Sequence, residues 1–173
     1  MDKQRFTSSK AKAIYPGTFD PFTFGHLDIL KRALKVFGNV VIAIAKREEK
    51  HVMFSQKERF ELVLRSIKEE NLTNVEVVMF EGLLIKFMEK LGIRVIVRGL
   101  RAISDFDYEF QMALTNRRLD RRVESIFFLP AEKHTFVSSS LVKEIAKNHG
   151  DVTDFVPSPV KKALIDRINA LHR

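Results

Sequence analysis

The densest group of chemically useful residues lies in segment 15–26, whose sequence is YPGTFDPFTFGH. Gly17 has no side chain, so backbone N–H groups beside it can come close to an anion. Thr18 adds a hydroxyl donor, and Gly25 and His26 begin a helical pattern, where free N–H groups and the helix dipole favour phosphate. A tight turn with a helix cap explains any one of these residues. The whole pattern at one corner favours a nucleotide phosphate site.

A second group follows an apolar strand pattern, where Arg98 and Arg101 flank Gly99 and Leu100. A guanidinium binds phosphate through several donors held in one plane. A solvated strand end, with Arg101 paired to Asp105 or Asp107, would explain the same residues. Phosphate binding and ion pairing therefore both remain open for these arginines.

A third group is segment 134–140, with the sequence HTFVSSS, which leads directly into a helical pattern. Serines at a helix start usually act as N-caps. Together with the helix N–H groups, the same hydroxyls also suit a polyphosphate, and the two roles are compatible. The charge run 46–51 reads as a solvated loop from which Lys50 could reach a phosphate, and Glu109 reads as a surface or ion-pair acid.

Several other classes of site are excluded by their missing motifs. The sequence contains neither the P-loop pattern nor the G-x-G-x-x-G dinucleotide fingerprint. Five histidines and no cysteines give no zinc-ligand spacing. The serine run also lacks the G-x-S-x-G elbow of a hydrolase.

Strand and helix patterns alternate along the whole chain, and the strands are too apolar for a sheet with one solvated face. This predicts a single-domain α/β, Rossmann-like fold: a five-stranded parallel sheet with helices on both faces. Ligands of such sheets bind at the carboxyl ends of the strands, so the three groups should share one edge. Residues 1–10 are predicted to be a disordered basic lead-in, and residues 11–173 one domain. Strands are predicted at 11–15, 39–45, 75–80, 94–99 and 123–130, and helices at 26–38, 55–71, 82–92, 104–120, 139–150 and 158–172.

Composition limits the partners without choosing one. The 173 residues carry a net charge of +8, but the basic residues are scattered rather than clustered, which argues against nucleic acid. A basic nucleic-acid-binding module stays an alternative, and it predicts salt-sensitive binding. No apolar run approaches the ~20 residues that span a membrane. The absence of cysteine is compatible with a reducing cytoplasm.

The three groups together resemble bacterial phosphopantetheine adenylyltransferases, members of the nucleotidylyltransferase superfamily. The resemblance is carried by the PGTFDP run after Tyr15, the T-x-G-H motif ending at His26, the RGLR motif from Arg98, and the serine motif ending at Ser140. It runs collinearly from about Lys12 to the last helix. The T-x-G-H and serine motifs indicate the superfamily, whereas PGTFDP with RGLR indicates this family.

The resemblance implies a cytoplasmic enzyme of coenzyme A biosynthesis. The implied reaction is reversible transfer of AMP from ATP to 4'-phosphopantetheine, giving 3'-dephospho-CoA and pyrophosphate by direct in-line attack. It further implies Mg²⁺ carried by ATP rather than by a protein metal site, a homohexamer, and coenzyme A as a candidate feedback ligand. No nucleic-acid or membrane partner is implied.

The resemblance also implies roles for individual residues. Catalysis would fall to His26 as transition-state stabiliser, with Lys50 and Arg98. The substrate 4'-phosphopantetheine would contact Thr18, Lys50, Leu84 and Arg98. ATP would contact Thr18, Phe19, His26, Gly99, Leu100, Arg101, Glu109, His134, Thr135, Phe136, Val137, Ser138, Ser139 and Ser140.

Five departures and two rival functions accompany this resemblance. Thr23 stands where the superfamily often has a first histidine, and Lys143 stands where its serine motif often goes on to an arginine. Phe24, Leu84 and His134 stand where family members carry Asn, Met and Trp. A nucleotidylyltransferase acting on nicotinate mononucleotide, or using CTP, is one rival. A protein that keeps the fold for interaction and has lost turnover is the other.

Overall fold

The structure, a computed structural model, describes residues 12–48, 52–101 and 103–171. Its elements follow the predicted order of alternating strands and helices. They are β1 (Lys12–Gly17), α1 (Phe24–Phe37), β2 (Asn39–Ala45), α2 (Gln56–Glu69), β3 (Val75–Phe80), α3 (Leu84–Leu91), β4 (Val95–Gly99), α4 (Ile103–Leu119), β5 (Glu124–Phe128), α5 (Ser139–Lys147) and α6 (Ser158–Leu171). A short 3₁₀ turn, Glu132–His134, precedes α5.

The five strands form one parallel sheet in the order β3-β2-β1-β4-β5. The chain builds outward from β1 to β3, then crosses to the other side of β1 for β4 and β5. The strand order therefore reverses between β1 and β4, which is where such sheets bind ligands. The predicted fold class is confirmed.

Both faces of the sheet are covered, which explains the continuous apolar runs in the strands. Successive strand side chains point to opposite faces. Tyr15 and Ile42 pack in a large cluster with residues of α1, α2, α5 and α6. Ile14 and Val41 pack on the other face with Met88 and Ile85 of α3.

Local chemistry sets several element ends differently from the predictions. Helix α1 begins at Phe24, two residues before the predicted start, because Thr23 is the N-cap and accepts from the N–H of His26. Strand β5 ends at Phe128 rather than residue 130, and Pro130 has no N–H to offer a sheet. Helix α5 ends at Lys147 instead of Gly150, since His149 has a positive φ of 59°.

No helix in the part of the chain that the structure describes is both long and apolar enough to span a membrane.

Candidate active site

The carboxyl ends of β1 and β4 open into a cavity of about 500 Å³, which we call the nucleotide cavity. Its walls come from the loop after β1, the end of β4, the first half of α4 and the start of α5. The three groups of residues found in the sequence therefore do share one edge of the sheet. The predicted residues that line it are Thr18, Phe19, His26, Arg98, Gly99, Arg101, Glu109, Val137, Ser138, Ser139 and Ser140.

Some predicted contacts lie elsewhere. The N–H of Leu100 donates to the carbonyl of Phe128 at 3.0 Å, and Leu100 does not line the cavity. His134, Thr135 and Phe136 are also absent from its wall, and Phe136 is 83% exposed. Lys50 lies outside the described residues.

A second cavity of about 350 Å³ adjoins the first, and we call it the acceptor cavity. Leu84 lines it, as do Leu83, Met112 and Phe127, so much of its wall is apolar. The residues common to both cavities are Pro16, Gly17, Thr18, Arg98, Tyr108 and Glu109. We call these six residues the shared wall.

The corner after β1 has a tightly determined backbone. Phe19 has a φ of 52°, and its ring folds back over Gly17. A Cβ atom on Gly17 would lie 2.8 Å from the Cζ atom of that ring. Gly17 is therefore required by contacts within the protein, beyond any close approach to an anion.

Arg59 stabilises this corner with a side chain that is fully buried. Its Nη1 atom donates to the carbonyls of Thr18 and Ala45, and its Nε atom donates to the carbonyl of Phe54 at 3.0 Å. Burial lowers the pKa of Arg59, while Asp20 acts in the opposite direction. One guanidinium thus joins the ends of β1 and β2 to the segment before α2.

His26 is the third residue of α1 and part of its capping box. Its Nδ1 atom accepts from the N–H of Thr23 at 3.0 Å, so the ring proton of the neutral imidazole lies on Nε2. The ring stacks on Phe22 at 5.6 Å and meets the edge of Phe19 at 5.1 Å between centroids. Burial, followed by the charges of Arg101 and Arg98, lowers the pKa of His26 to about 3. His26 is a neutral hydrogen-bond donor at physiological pH.

Arg98 is held in place by two partners. Its Nε atom donates to Oε2 of Glu109 at 2.8 Å, and its Nη1 atom donates to the Pro16 carbonyl at 2.7 Å. Burial is the largest single influence and acts to lower the pKa of Arg98, but the hydrogen bond and the charge of Glu109, with smaller contributions from Tyr15 and Tyr108, together outweigh it and the pKa is raised. Glu109 is only 8% exposed, so the prediction of an ion-pair acid is confirmed, though not of a surface one.

The other two cations on the cavity wall are paired as well. Arg101 donates to Asp105 at 3.0 Å, which is one of the two pairings the sequence suggested. Lys143 donates to Asp20 at 2.8 Å. In the described lining, the cations Arg98, Arg101 and Lys143 thus face the acids Glu109, Asp105 and Asp20.

The serine run caps α5, as the sequence predicted. Ser138 accepts from the N–H of Leu141 at 3.0 Å, and Ser139 donates to the Pro21 carbonyl at 2.8 Å. The second bond ties the start of α5 to the corner after β1. The N-terminus of α5 therefore lies at the cavity, and the N-terminus of α1 reaches it through His26.

Comparison with known proteins shows which family this chain belongs to. A family model described as cytidylyltransferase-like matches residues 14–145. A phosphopantetheine adenylyltransferase from Desulfotalea psychrophila (strain LSv54 / DSM 12343) is 46% identical over 160 residues, which cover 92% of this chain and 94% of that protein. The chain belongs to the phosphopantetheine adenylyltransferase family. The resemblance found in the sequence is confirmed.

A solved structure supports the fold of this adenylyltransferase. A protein from Vibrio parahaemolyticus, provisionally named a nicotinate-nucleotide adenylyltransferase, superimposes with a TM-score of 0.69. The match covers 90% of this chain and 99% of that one, at 19% sequence identity. At that identity the likeness concerns the fold alone.

Two features of the candidate site were not predicted from the sequence. Arg59 sits in an amphipathic helix, where a lone arginine usually faces solvent, and its place one turn before Leu62 and Val63 was the only signal of burial. Asp20 and Lys143 were not among the predicted contacts, because their pairing joins residues far apart in the chain. Among the described residues, no group of three or more His, Asp or Glu side chains could hold a metal ion.

Proposed function

We propose that this enzyme transfers AMP reversibly from ATP to 4'-phosphopantetheine, giving 3'-dephospho-CoA and pyrophosphate in coenzyme A biosynthesis. The observation that carries the proposal is the shared wall, which joins two cavities of different character. A transfer between two bound substrates needs two sites that meet at the reacting atoms. Family membership supplies the names of the substrates.

The character of each cavity supports its assignment. The nucleotide cavity has two helix N-termini and the serine run, which suit a polyphosphate. The acceptor cavity has the apolar side chains of Leu83, Leu84, Met112 and Phe127, which suit an uncharged pantetheine arm. Arg98 in the shared wall suits the 4'-phosphate at the end of that arm.

The reaction needs no nucleophile from the enzyme. An oxygen of the 4'-phosphate attacks the α-phosphorus of ATP in line, the new P–O bond forms, and the bond to pyrophosphate breaks. The attacking oxygen is already anionic, so no general base takes a proton and no covalent intermediate forms. The enzyme supplies positioning and charge stabilisation.

His26 is the transition-state stabiliser in this proposal. In this tautomer the Nε2–H group takes no part in the capping box. It can therefore donate a hydrogen bond to an oxygen on the α-phosphorus as charge builds there. Because its pKa is low, the His26 imidazole is neutral at physiological pH. A neutral imidazole donates a hydrogen bond from its N–H group without giving up the proton. Arg98 and Lys50 are the other proposed catalytic residues.

Mg²⁺ is proposed to arrive with ATP as part of the substrate. The cations and acids that line the nucleotide cavity are equal in number, and His26 is neutral. The charge of a triphosphate is therefore poorly matched by the described lining alone. A divalent ion bound with the triphosphate would offset part of that charge.

The remaining proposed contacts are these. Thr18, in the shared wall, is proposed to touch both substrates, and Lys50, Leu84 and Arg98 to hold 4'-phosphopantetheine. The proposed ATP contacts that line the nucleotide cavity, besides Thr18, are Phe19, His26, Gly99, Arg101, Glu109 and residues 137–140. Leu100 and residues 134–136, which adjoin these in the chain without lining the cavity, are the other proposed ATP contacts.

A homohexamer is the proposed assembly. Helix α4 presents an apolar stripe of Phe106, Phe110 and Leu114, each about half exposed, with the two phenylalanine rings stacked at 5.7 Å. The side chains recur at a spacing of four residues, so they form one face. Covering this face with a second copy of the chain would remove a contiguous apolar surface from water.

We also propose a cytoplasmic location, where ATP is available, and coenzyme A as a feedback ligand.

The proposed activity is tested by pyrophosphate release with ATP and Mg²⁺. The acceptor is 4'-phosphopantetheine in one reaction and pantetheine in a parallel one. Release only with the phosphorylated acceptor is expected, because the attacking oxygen belongs to the phosphate. Release with nicotinate mononucleotide instead, or with CTP in place of ATP, would contradict the proposal.

A further inference from the structure

Arg59 is a buried cation to which the proposed reaction gives no role. Its side chain is fully buried and lines neither the nucleotide cavity nor the acceptor cavity. Its hydrogen bonds go to the backbone carbonyls of Thr18, Ala45 and Phe54, and its Nη2 atom has no partner among the described residues. Burying a guanidinium that binds no carboxylate directly costs free energy, and a hydrophobic side chain on α2 would avoid that cost. The arginine therefore points to a role besides stability.

We infer that Arg59 is a positioning residue for AMP transfer, because it sets the peptide between Thr18 and Phe19 at the point where the two substrates meet. This inference rests on the proposed function, in which both of those residues contact ATP. The Nη1 atom of Arg59 donates to the Thr18 carbonyl. Thr18 belongs to the shared wall, and Phe19 lines the nucleotide cavity. Arg59 itself touches no substrate, and it acts only through this peptide.

The hydrogen bond from Arg59 fixes the direction of the Phe19 N–H group. Among the described residues, only the bond between Asp20 and Pro21 is cis, so the peptide before Phe19 is trans. The C=O and N–H groups of a trans peptide point in opposite directions. Since the carbonyl is directed at the buried Arg59, the N–H of Phe19 points away from it, and it donates to no described residue. That N–H is left for a phosphate oxygen in the nucleotide cavity.

The positive charge of Arg59 makes the Phe19 N–H a better donor. A cation that is hydrogen-bonded to a carbonyl polarises the peptide, which strengthens the N–H group on its other side. A donor that is already aimed at the transferring phosphorus stabilises the charge that develops there without reorganising during the reaction. A neutral side chain in place of Arg59 would supply neither the polarisation nor the aim.

The other two bonds of Arg59 make the position of this peptide rigid. Its Nη1 atom also donates to the carbonyl of Ala45 at the end of β2, and its Nε atom donates to that of Phe54 before α2, both at 3.0 Å. The φ of Phe19 is 52°, a value that residues other than glycine seldom adopt without support from their surroundings. The peptide therefore cannot turn without breaking contacts to two further segments.

The test compares turnover and stability in Arg59→Lys and Val63→Ala. Arg59→Lys keeps the charge but loses the planar fork that reaches three segments. Its kcat for pyrophosphate release, at saturating ATP and 4'-phosphopantetheine, should fall about 100-fold, the scale for a misplaced catalytic group, and the KM for ATP should change less. Val63→Ala is the matched control, since Val63 is buried on the same helix and its truncation removes packing but no hydrogen bond. It should lower the free energy of unfolding and leave kcat within about twofold.

Two results of this comparison would overturn the inference. One is a wild-type kcat in Arg59→Lys, and the other is an equal loss of kcat in both variants, which would assign Arg59 to stability alone. Urea unfolding of each variant shows that kcat is measured on folded protein.

A second measurement on the wild-type chain applies even if no Arg59 variant folds. Labelling threonine carbonyls with ¹³C and phenylalanine nitrogens with ¹⁵N selects the amides of Thr–Phe pairs, which in this sequence belong to Phe19, Phe24 and Phe136. Mg-ATP should shift the Phe19 amide resonance more than that of Phe24, whose N–H already donates to the carbonyl of Phe155 at 2.9 Å. Phe19→Leu assigns the first resonance by its loss. A Phe19 resonance that Mg-ATP leaves unchanged would overturn the inference.

The outcomes separate this inference from the proposed function. Pyrophosphate release by the wild-type chain with nicotinate mononucleotide, and not with 4'-phosphopantetheine, would refute the proposed function. The same comparison of kcat, run with that acceptor, would then decide the role of Arg59. A wild-type kcat in Arg59→Lys with 4'-phosphopantetheine as acceptor would refute the inference alone.

Discussion

The backbone N–H of Thr23 donates to Nδ1 of His26 at 3.0 Å, and this bond decides which ring nitrogen carries the proton. Thr23, which stands where the superfamily often has a first histidine, therefore sets the tautomer of His26. The pair works as a helix cap and as a tautomer lock at the same time.

The first prediction concerns the protonation of His26. In nitrogen-detected NMR spectra, its imidazole should show the Nε2–H tautomer with no titration between pH 5 and 8, because its pKa is lowered to about 3. The resonances are assigned by their loss in His26→Gln. A midpoint near the usual value of 6.5 would contradict the neutral-donor role.

The same pKa shift predicts how stability depends on pH. Unfolded chains take up a proton on this histidine below about pH 6.5, whereas the folded chain does so only near pH 3. The free energy of unfolding should therefore decrease as pH falls through this window, by up to about 1.4 kcal/mol per pH unit from this residue. Urea unfolding at pH 7 and 5 should show a smaller decrease for His26→Gln than for wild type.

The second prediction separates the two roles of Thr23. Thr23→Val removes the hydroxyl that caps α1 and should lower the free energy of unfolding by about 1 kcal/mol. Ser55→Ala removes the corresponding cap of α2, which has the same capping box away from both cavities, at a similar cost. Only Thr23→Val should lower kcat, since only the Thr23 hydroxyl contacts the His26 ring, with its Oγ1 atom 3.0 Å from Nδ1. Equal kcat values in the two variants would show that the Thr23 hydroxyl serves stability alone.

The third prediction concerns Arg98 in the shared wall. Arg98→Lys keeps the charge but loses the fork that holds Glu109 and the Pro16 carbonyl. The KM for 4'-phosphopantetheine should rise about 10-fold or more, the range for losing a charge-assisted hydrogen bond, and the KM for ATP should change less. Arg94→Lys, an exposed change just before the opposite end of β4, is the control and should leave both KM values unaltered. A larger rise in the KM for ATP would assign Arg98 to the other substrate.

The fourth prediction concerns the apolar stripe on α4. Replacing Phe106 and Phe110 together by Lys should dissociate the proposed hexamer, because charged side chains resist burial between copies. Size-exclusion chromatography with light scattering would report the change in mass. Val36→Lys is the control, since Val36 is an exposed apolar residue on α1, away from the stripe. A wild-type mass for the double variant would place the assembly surface elsewhere.

The sequence predicted the fold well because its main signals are local. Strands buried on both faces are apolar throughout, and the capping box of Ser55 and Glu58 marks the start of α2 within a few residues. Helix α1 was placed late because a threonine cap with a histidine at the third position is a weaker signal than the usual Ser-x-x-Glu pattern.

Sequence patterns indicated which residues lie at the cavity where those residues follow a strand, and they missed contacts where distant segments meet. Arg98 and the serine run lie after strands, so the topology of a parallel sheet brings them together. Arg59 binds the carbonyls of three separate segments, and Asp20 accepts from the backbone N–H groups of one of them, at Met53 and Phe54. Such contacts depend on the folded path of the chain, which no local pattern records.

The ion pairs that line the nucleotide cavity affect how strongly the enzyme binds small anions. Inorganic phosphate and sulfate offer only a few oxygens, and each cation on the described wall already has a carboxylate within 3.0 Å. A small anion must compete with that carboxylate for a single cation, whereas the two proposed substrates together carry several phosphates and would meet several of these cations at once. We therefore expect these carboxylates to disfavour binding of the abundant small anions of the cell.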